Sequence, residues 1–326
     1  MKTPEHSAPT DSIHFDCALV AESLEKNGEY KADKIIVKKW DEEVGVKKKY
    51  LLKTEDESFK FMGIVNLLFV RQGFGINVHE NGDKYFGYYQ DNLRNGQGIY
   101  SYLPEKKDNQ LLSEFYYGCW KADLKDGYGI YLWLKEDASK KPFTDFDKAS
   151  FQAFVGDAEN DNFKKGTLLK KEGDDYLVFH GTFNSDGKRE GQKCFCYSAA
   201  LEELCFGEYL NDQFVKGYVA LFDEEGNVKD FLKYTDGQII KKDKVDEEEF
   251  KKNSKIMFDF RNVIMGKDYF GDVYNGFAEI KNFEETKMIS VDIYNSDDYL
   301  KLMNLASGYN KVSICRVIEK NVECTK

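Results

Sequence analysis

The chain has 326 residues, of which 41% are hydrophobic, 15% aromatic and 32% charged, enough apolar material for a packed core and too much for a disordered chain. A formal net charge of −11 with five arginines (Arg71, Arg94, Arg189, Arg261 and Arg316) excludes a broad basic surface for nucleic acid and leaves only local lysine patches. The abundance of Phe (25) and Tyr (21) favours strands, because flat side chains pack well on a pleated surface.

In chain order, residues 1–12 are polar and are expected to fray; the N-terminal stretch lacks a secretory apolar segment. Seven cysteines, an odd set, fit a reduced intracellular setting. No run approaches the ~18 consecutive apolar residues of a membrane-spanning helix. Residues 34–52 (KIIVKKWDEEVGVKKKYLL) read as two short strands about a turn at Asp41–Glu43, within an N-terminal extension over 1–59.

From residue 60 the sequence repeats itself. Residues 85–103 (YFGYYQDNLRNGQGIYSYL) and 116–134 (YYGCWKADLKDGYGIYLWL) share 8 of 19 letters without a gap. The common template is aromatic-x-Gly-x-aromatic, six residues, then Gly-x-Gly. Its first five positions alternate with the period of a strand, so Tyr85, Gly87 and Tyr89 share one face. Asp91–Asn95 supplies turn chemistry and GQGIYSYL a second strand, so one copy is a β-hairpin. Weaker copies begin at Phe61, Phe154, Phe179 and Cys205, and a degenerate one at Phe231. The first glycines of the six better copies (Gly63, Gly87, Gly118, Gly156, Gly181 and Gly207) set a basic period of about 24–26 residues, with insertions near 104–113 and 135–150. Linking segments at 80–87, 172–181 and 224–231 each place an acidic residue and Gly before the next aromatic, as turns between hairpins do. The fold expected over 60–240 is a mainly β, elongated antiparallel meander of six to seven hairpins. Gly87 or Gly118 lets an aromatic ring of an adjacent strand lie across the backbone, a strand-interior glycine marking such a close approach or a bend; Gly75, Gly96, Gly98, Gly127 and Gly129 are the further repeat-defining glycines, Gly96 and Gly98 permitting close backbone approach.

Residues 241–326 differ in texture and are expected to form a small α+β cap. Residues 246–266 read as a helix with an acidic first turn, 269–283 as a divergent hairpin, 296–309 as a helix capped by Ser296, and 311–321 as a strand.

The repeat resembles the MORN (membrane occupation and recognition nexus) repeat, whose ideal form begins Tyr-x-Gly-x-Trp and reaches Gly-x-Gly about seven residues later. The resemblance covers about 60–235. It implies a non-catalytic scaffold that binds other proteins as a subunit of a cytoskeletal or ciliary assembly, including radial spokes of the axoneme, with no cofactor. Contacts are then expected from exposed members of Tyr88, Tyr89, Tyr117, Trp120, Trp133 and Phe183. The alternative is a peripheral phosphoinositide-binding adaptor resting on Lys47–Lys49 and Lys140–Lys141, runs shorter than the four to eight basic residues that electrostatic membrane capture takes.

Catalytic and metal readings fare worse. None of GFGINV, GQGIYS and GYGIYL carries the third glycine of a dinucleotide loop, and all run into strand-like sequence. Cys194, Cys196 and Cys205 lack the paired spacing of a zinc site and read as core thiols, and His180 as a packed strand histidine. Residues 223–227 (DEEGN) lack the order of a calcium loop.

Overall fold

The computed structural model describes residue 26 and residues 29–32, 35–40, 49–55, 60–66, 68–137, 150–236, 238–240 and 247–264. The expected helix at 296–309, strand at 311–321 and hairpin at 269–283 lie outside them, as does Lys140–Lys141.

The described residues form one antiparallel sheet of eighteen strands and a helix. The strands are β1 (Glu29–Ala32), β2 (Ile35–Trp40), β3 (Lys49–Glu55), β4 (Lys60–Val65), β5 (Arg71–Val78), β6 (Lys84–Gln90), β7 (Leu93–Ser101), β8 (Glu105–Lys107) and β9 (Gln110–Lys121). They continue with β10 (Leu124–Asp137), β11 (Ser150–Glu159), β12 (Asn162–Glu172), β13 (Asp175–Phe183), β14 (Arg189–Ser198), β15 (Glu203–Leu210), β16 (Gln213–Phe222), β17 (Val228–Thr235) and β18 (Gln238–Ile240). Strands pair in sequence order, apart from the short β8, which pairs with β9 while β9 also joins β7 and β10. The fold is therefore the expected meander, and it begins earlier than the repeats: the N-terminal strands flanking 41–48 pair with each other and onward into β4. The insertion near 104–113 is an added arm, with β8 turning back on β9 at Asp108–Asn109.

The turns are tighter than the sequence suggests. At Asp91–Asn92 two residues at φ 52° and 68° close the hairpin, and Leu93 is already in β7. Ala122–Asp123, Asn160–Asp161 and Asn211–Asp212 repeat that left-handed pair. Two-residue turns of this hand match the twist of the strands they join, and Asn and Asp tolerate the conformation best.

Alternation sorts the side chains into two buried layers. One is aliphatic and aromatic, running through Ile76, Phe86, Ile99, Tyr117, Ile130, Val155 and Phe195. The helix α1 (Glu247–Ile264), which realises the helix expected at 246–266, lies on this layer. Its Met257 and Phe260 are buried there, and the Phe260 ring stacks on Phe195 with centroids 4.4 Å apart. The opposite layer is almost wholly aromatic and carries the repeat motif.

Candidate functional site

On the motif-bearing face two rows of residues cross the sheet side by side. The first consists of glycines in direct register: Gly63 faces Gly75, which faces Gly87, and the row continues through Gly98, Gly118, Gly129, Gly156 and Gly166 to Gly181. The second holds the motif's leading aromatics and their partners, among them Phe61, Tyr85, Tyr100, Tyr116, Tyr131, Phe154 and Phe179. Each leading ring leans across the glycine row. A Cβ built on Gly98 would stand 2.3 Å from the Tyr85 hydroxyl oxygen, and one on Gly129 2.5 Å from that of Tyr116. The two hydroxyls pass beyond the glycines and donate to the carbonyls of Tyr88 and Cys119, at 3.1 and 3.0 Å. The flat lie of the ring and the missing side chain are one feature.

Two of the expected glycines have another role. Gly96 and Gly127 stand outside the row, at φ 94° and 102°, where the pairing slips by a bulge between Gly87 and Tyr89 and between Lys125 and Gly129. An extra residue at a bulge needs this left-handed backbone, which glycine adopts without steric cost. Gly96, expected to permit close backbone approach, is thus a bulge residue, and so is Gly127, where a built Cβ would also stand 3.0 Å from the Cys119 Cβ.

A third row was not expected from the sequence. In four hairpins a cation that follows the turn folds back over the rings: Arg94 and Lys125 after the two-residue turns Asp91–Asn92 and Ala122–Asp123, and Arg71 and Arg189 after longer ones. The Arg94 guanidinium carbon sits 4.2 Å from the Trp120 ring centroid and 5.1 Å from that of Tyr100. Its Nε donates to Asp123 Oδ1 at 3.1 Å and its Nη2 to the Asp123 carbonyl at 2.8 Å, while the backbone N–H of Arg94 reaches the same carboxylate at 2.7 Å. Arg189 reproduces this on Asp212 at 3.0, 3.0 and 2.9 Å. Thus the second residue of each of these turns clasps the cation of the preceding hairpin, and Asn92 does so to the Arg71 backbone at 2.8 Å. Charge-assisted hydrogen bonds and ring contact together hold successive hairpins edge to edge. Phe163 and Phe214 fill the cation's place in two repeats, and Phe163 stacks on Phe154 at 3.9 Å. The signal was present: three of the five arginines fall seven or eight residues after a first glycine and Lys125 falls seven after Gly118, as in the runs DNLR and ADLK.

Burial sets the ionisation of this layer. The Tyr89 hydroxyl is pushed up to about 12, chiefly by burial, with Arg71 opposing. Lys125 is brought down to about 8 by burial, although Asp161, 3.5 Å away, favours its charge. On the opposite face His180 is lowered to about 4 by burial and by Lys165, and its Nδ1 lies 2.9 Å from the Thr167 hydroxyl. It is a neutral packed histidine at pH 7, as the sequence reading has it.

Of the six residues expected to make contacts, Tyr89, Trp120 and Phe183 are buried in the motif-bearing layer and Tyr117 in the opposite one. Tyr88 and Trp133 keep partial exposure. Trp133 lines a cavity of about 600 Å³ near the β8–β9 arm, with Tyr102, Leu112 and Phe151 as apolar walls and Asp83, Glu105, Lys135 and Lys170 among its polar ones. Cys119, Cys194, Cys196 and Cys205 are free thiols, with the first and third half-buried. Among the described residues no group of three or more His, Cys, Asp or Glu is placed to hold a metal ion, and no helix is long and apolar enough to cross a membrane. A search against protein-family models finds no match to this chain, and a search of curated proteins finds none either.

Proposed function

We propose that the protein is a non-catalytic scaffold of the MORN-repeat type, an intracellular structural subunit that joins other proteins in a cytoskeletal or ciliary assembly such as the radial spoke of an axoneme. The observation that carries this reading is the unbroken glycine row from Gly63 to Gly181 with a leading aromatic laid over it hairpin after hairpin. Such regularity specifies a long continuous surface, and the polar chemistry of the motif-bearing face is spent on joining hairpins.

Contact with partners falls to what the packing leaves open: the Trp133 cavity, whose apolar walls and mixed charges suit an inserted protein segment, and the exposed leucines Leu103, Leu201 and Leu210. Lipid binding has less support. Arg94 and Lys125 lie buried under aromatic rings, and the lysine runs Lys47–Lys49 and Lys140–Lys141 are shorter than the roughly four to eight basic residues that membrane capture takes. Affinity purification of the native protein followed by mass spectrometry tests the reading. Recovery of tubulin-associated or spoke proteins supports it, and their absence together with sedimentation on anionic liposomes at physiological salt replaces it with the lipid adaptor.

A further inference from the structure

The aromatic row ends abruptly after Phe179. The next two positions in register are Cys196 on β14 and Cys205 on β15, directly opposite one another. Cys205 occupies the place held by Tyr85, Tyr116, Phe154 and Phe179 in other repeats. We propose that Cys196 and Cys205 are a thiol oxidation site that closes reversibly into a cross-strand disulfide.

Directly opposed residues of antiparallel strands project to the same face with Cα atoms about 4.5–5.5 Å apart, inside the ~4.4–6.8 Å that a disulfide spans. Cys194 and Cys196, two residues apart on one strand, are separated by roughly 6.6 Å, near the upper limit. The two partners are unequal. Cys196 is half-buried, and although burial raises its thiol pKa, Arg189 Nη1, 3.8 Å from its Sγ, works the other way by favouring the thiolate. Cys205 is buried, and its Sγ lies 3.2 Å from Glu203 Oε1.

With a hydroperoxide as oxidant the steps balance. The Cys196 thiolate attacks one peroxide oxygen, the O–O bond breaks, and hydrogen peroxide leaves a sulfenic acid and, after protonation, one water. The Cys205 sulfur then attacks the sulfenic sulfur and gives up its S–H proton as the S–S bond forms. The S–O bond breaks, and hydroxide leaves as the second water on taking up that proton. Both sulfurs are oxidised, both peroxide oxygens are reduced, and a small dithiol reverses the change by exchange.

Treatment of the full chain with hydrogen peroxide, blocking of remaining thiols and peptide mapping test the site. Cleavage after Glu202 and Glu203 separates Cys196 from Cys205, and chymotryptic cleavage after Phe195 separates Cys194 from Cys196. The expected result is a monomeric product in which the Cys196 and Cys205 peptides stay linked until dithiothreitol is added. Cys196→Ser and Cys205→Ser each abolish the link, and Cys194→Ser leaves it. A wild-type map that links through Cys194 or Cys119, or that shows sulfinic acid at Cys196 with no link, overturns the proposal without recourse to any variant.

Discussion

At the scale of single residues the motif-bearing layer sets two demands against each other. Lys125 has an ion pair with Asp161 and four rings within 6 Å, all favouring its charge, yet burial outweighs them and its pKa falls from 10.5 to about 8. The unfolded chain therefore binds more protons than the folded one between pH 8 and 10.5, and this lysine's contribution to stability rises with pH across that window. Below pH 8 its charge costs on the order of 3 kcal/mol. Lys125→Met is thus expected to be as stable as wild type or more stable at pH 7, with its advantage shrinking as pH rises toward 10.5. Chemical denaturation of both proteins at each pH checks this, taken as a difference because buried tyrosines titrate nearby. A constant difference would mean that Lys125 stays charged without penalty. Little of the cation row is legible from composition, since its members are few; it becomes visible only when Arg94 and Lys125 are aligned as equivalent positions of one template.

At the scale of elements, strand periodicity and glycine spacing made the hairpins legible. Tyr85 and Tyr89 do share a face, with Phe86 and Tyr88 on the other. Turn length was not legible: Leu93 to Asn95 look like turn residues beside Asp91–Asn92, but the left-handed pair closes the hairpin by itself and Gly96 absorbs the surplus residue as a bulge. The helix was legible from its acidic start and mixed three- and four-residue apolar spacing, while the face it covers was not, because that depends on pairings distant in sequence. Its hold on the sheet separates two nearby phenylalanines. Phe260 is 4% exposed and stacks on Phe195, whereas Phe258 is 43% exposed. Phe260→Ala is expected to cost about 3–5 kcal/mol, and Phe258→Ala less than about 1 kcal/mol, in thermal or denaturant unfolding. Equal losses would place the helix elsewhere.

At the scale of the whole molecule, the sheet extends because the same contact recurs. Each hairpin supplies glycines on which an aromatic can lie and a turn carboxylate or amide that clasps its neighbour, so hairpins that could not bury their faces alone become one surface. The region near Cys196, Cys205 and Gly207 departs from this pattern, since a cysteine stands in the leading aromatic position and the three atoms nearest a Cβ built on Gly207 or Gly217 are all backbone. The central claim, that ring and glycine are coupled, is tested most directly by a double-mutant cycle on Tyr85 and Gly98, where the three atoms nearest a built Cβ all belong to the Tyr85 ring and hydroxyl. Gly98→Ala alone is expected to lose about 1–3 kcal/mol by overpacking and Tyr85→Ala about 3–5 kcal/mol. With the ring gone the alanine has room, so the double variant should be more stable than the sum of the two losses by at least about 1 kcal/mol. Losses that add to within about 0.5 kcal/mol would contradict the account.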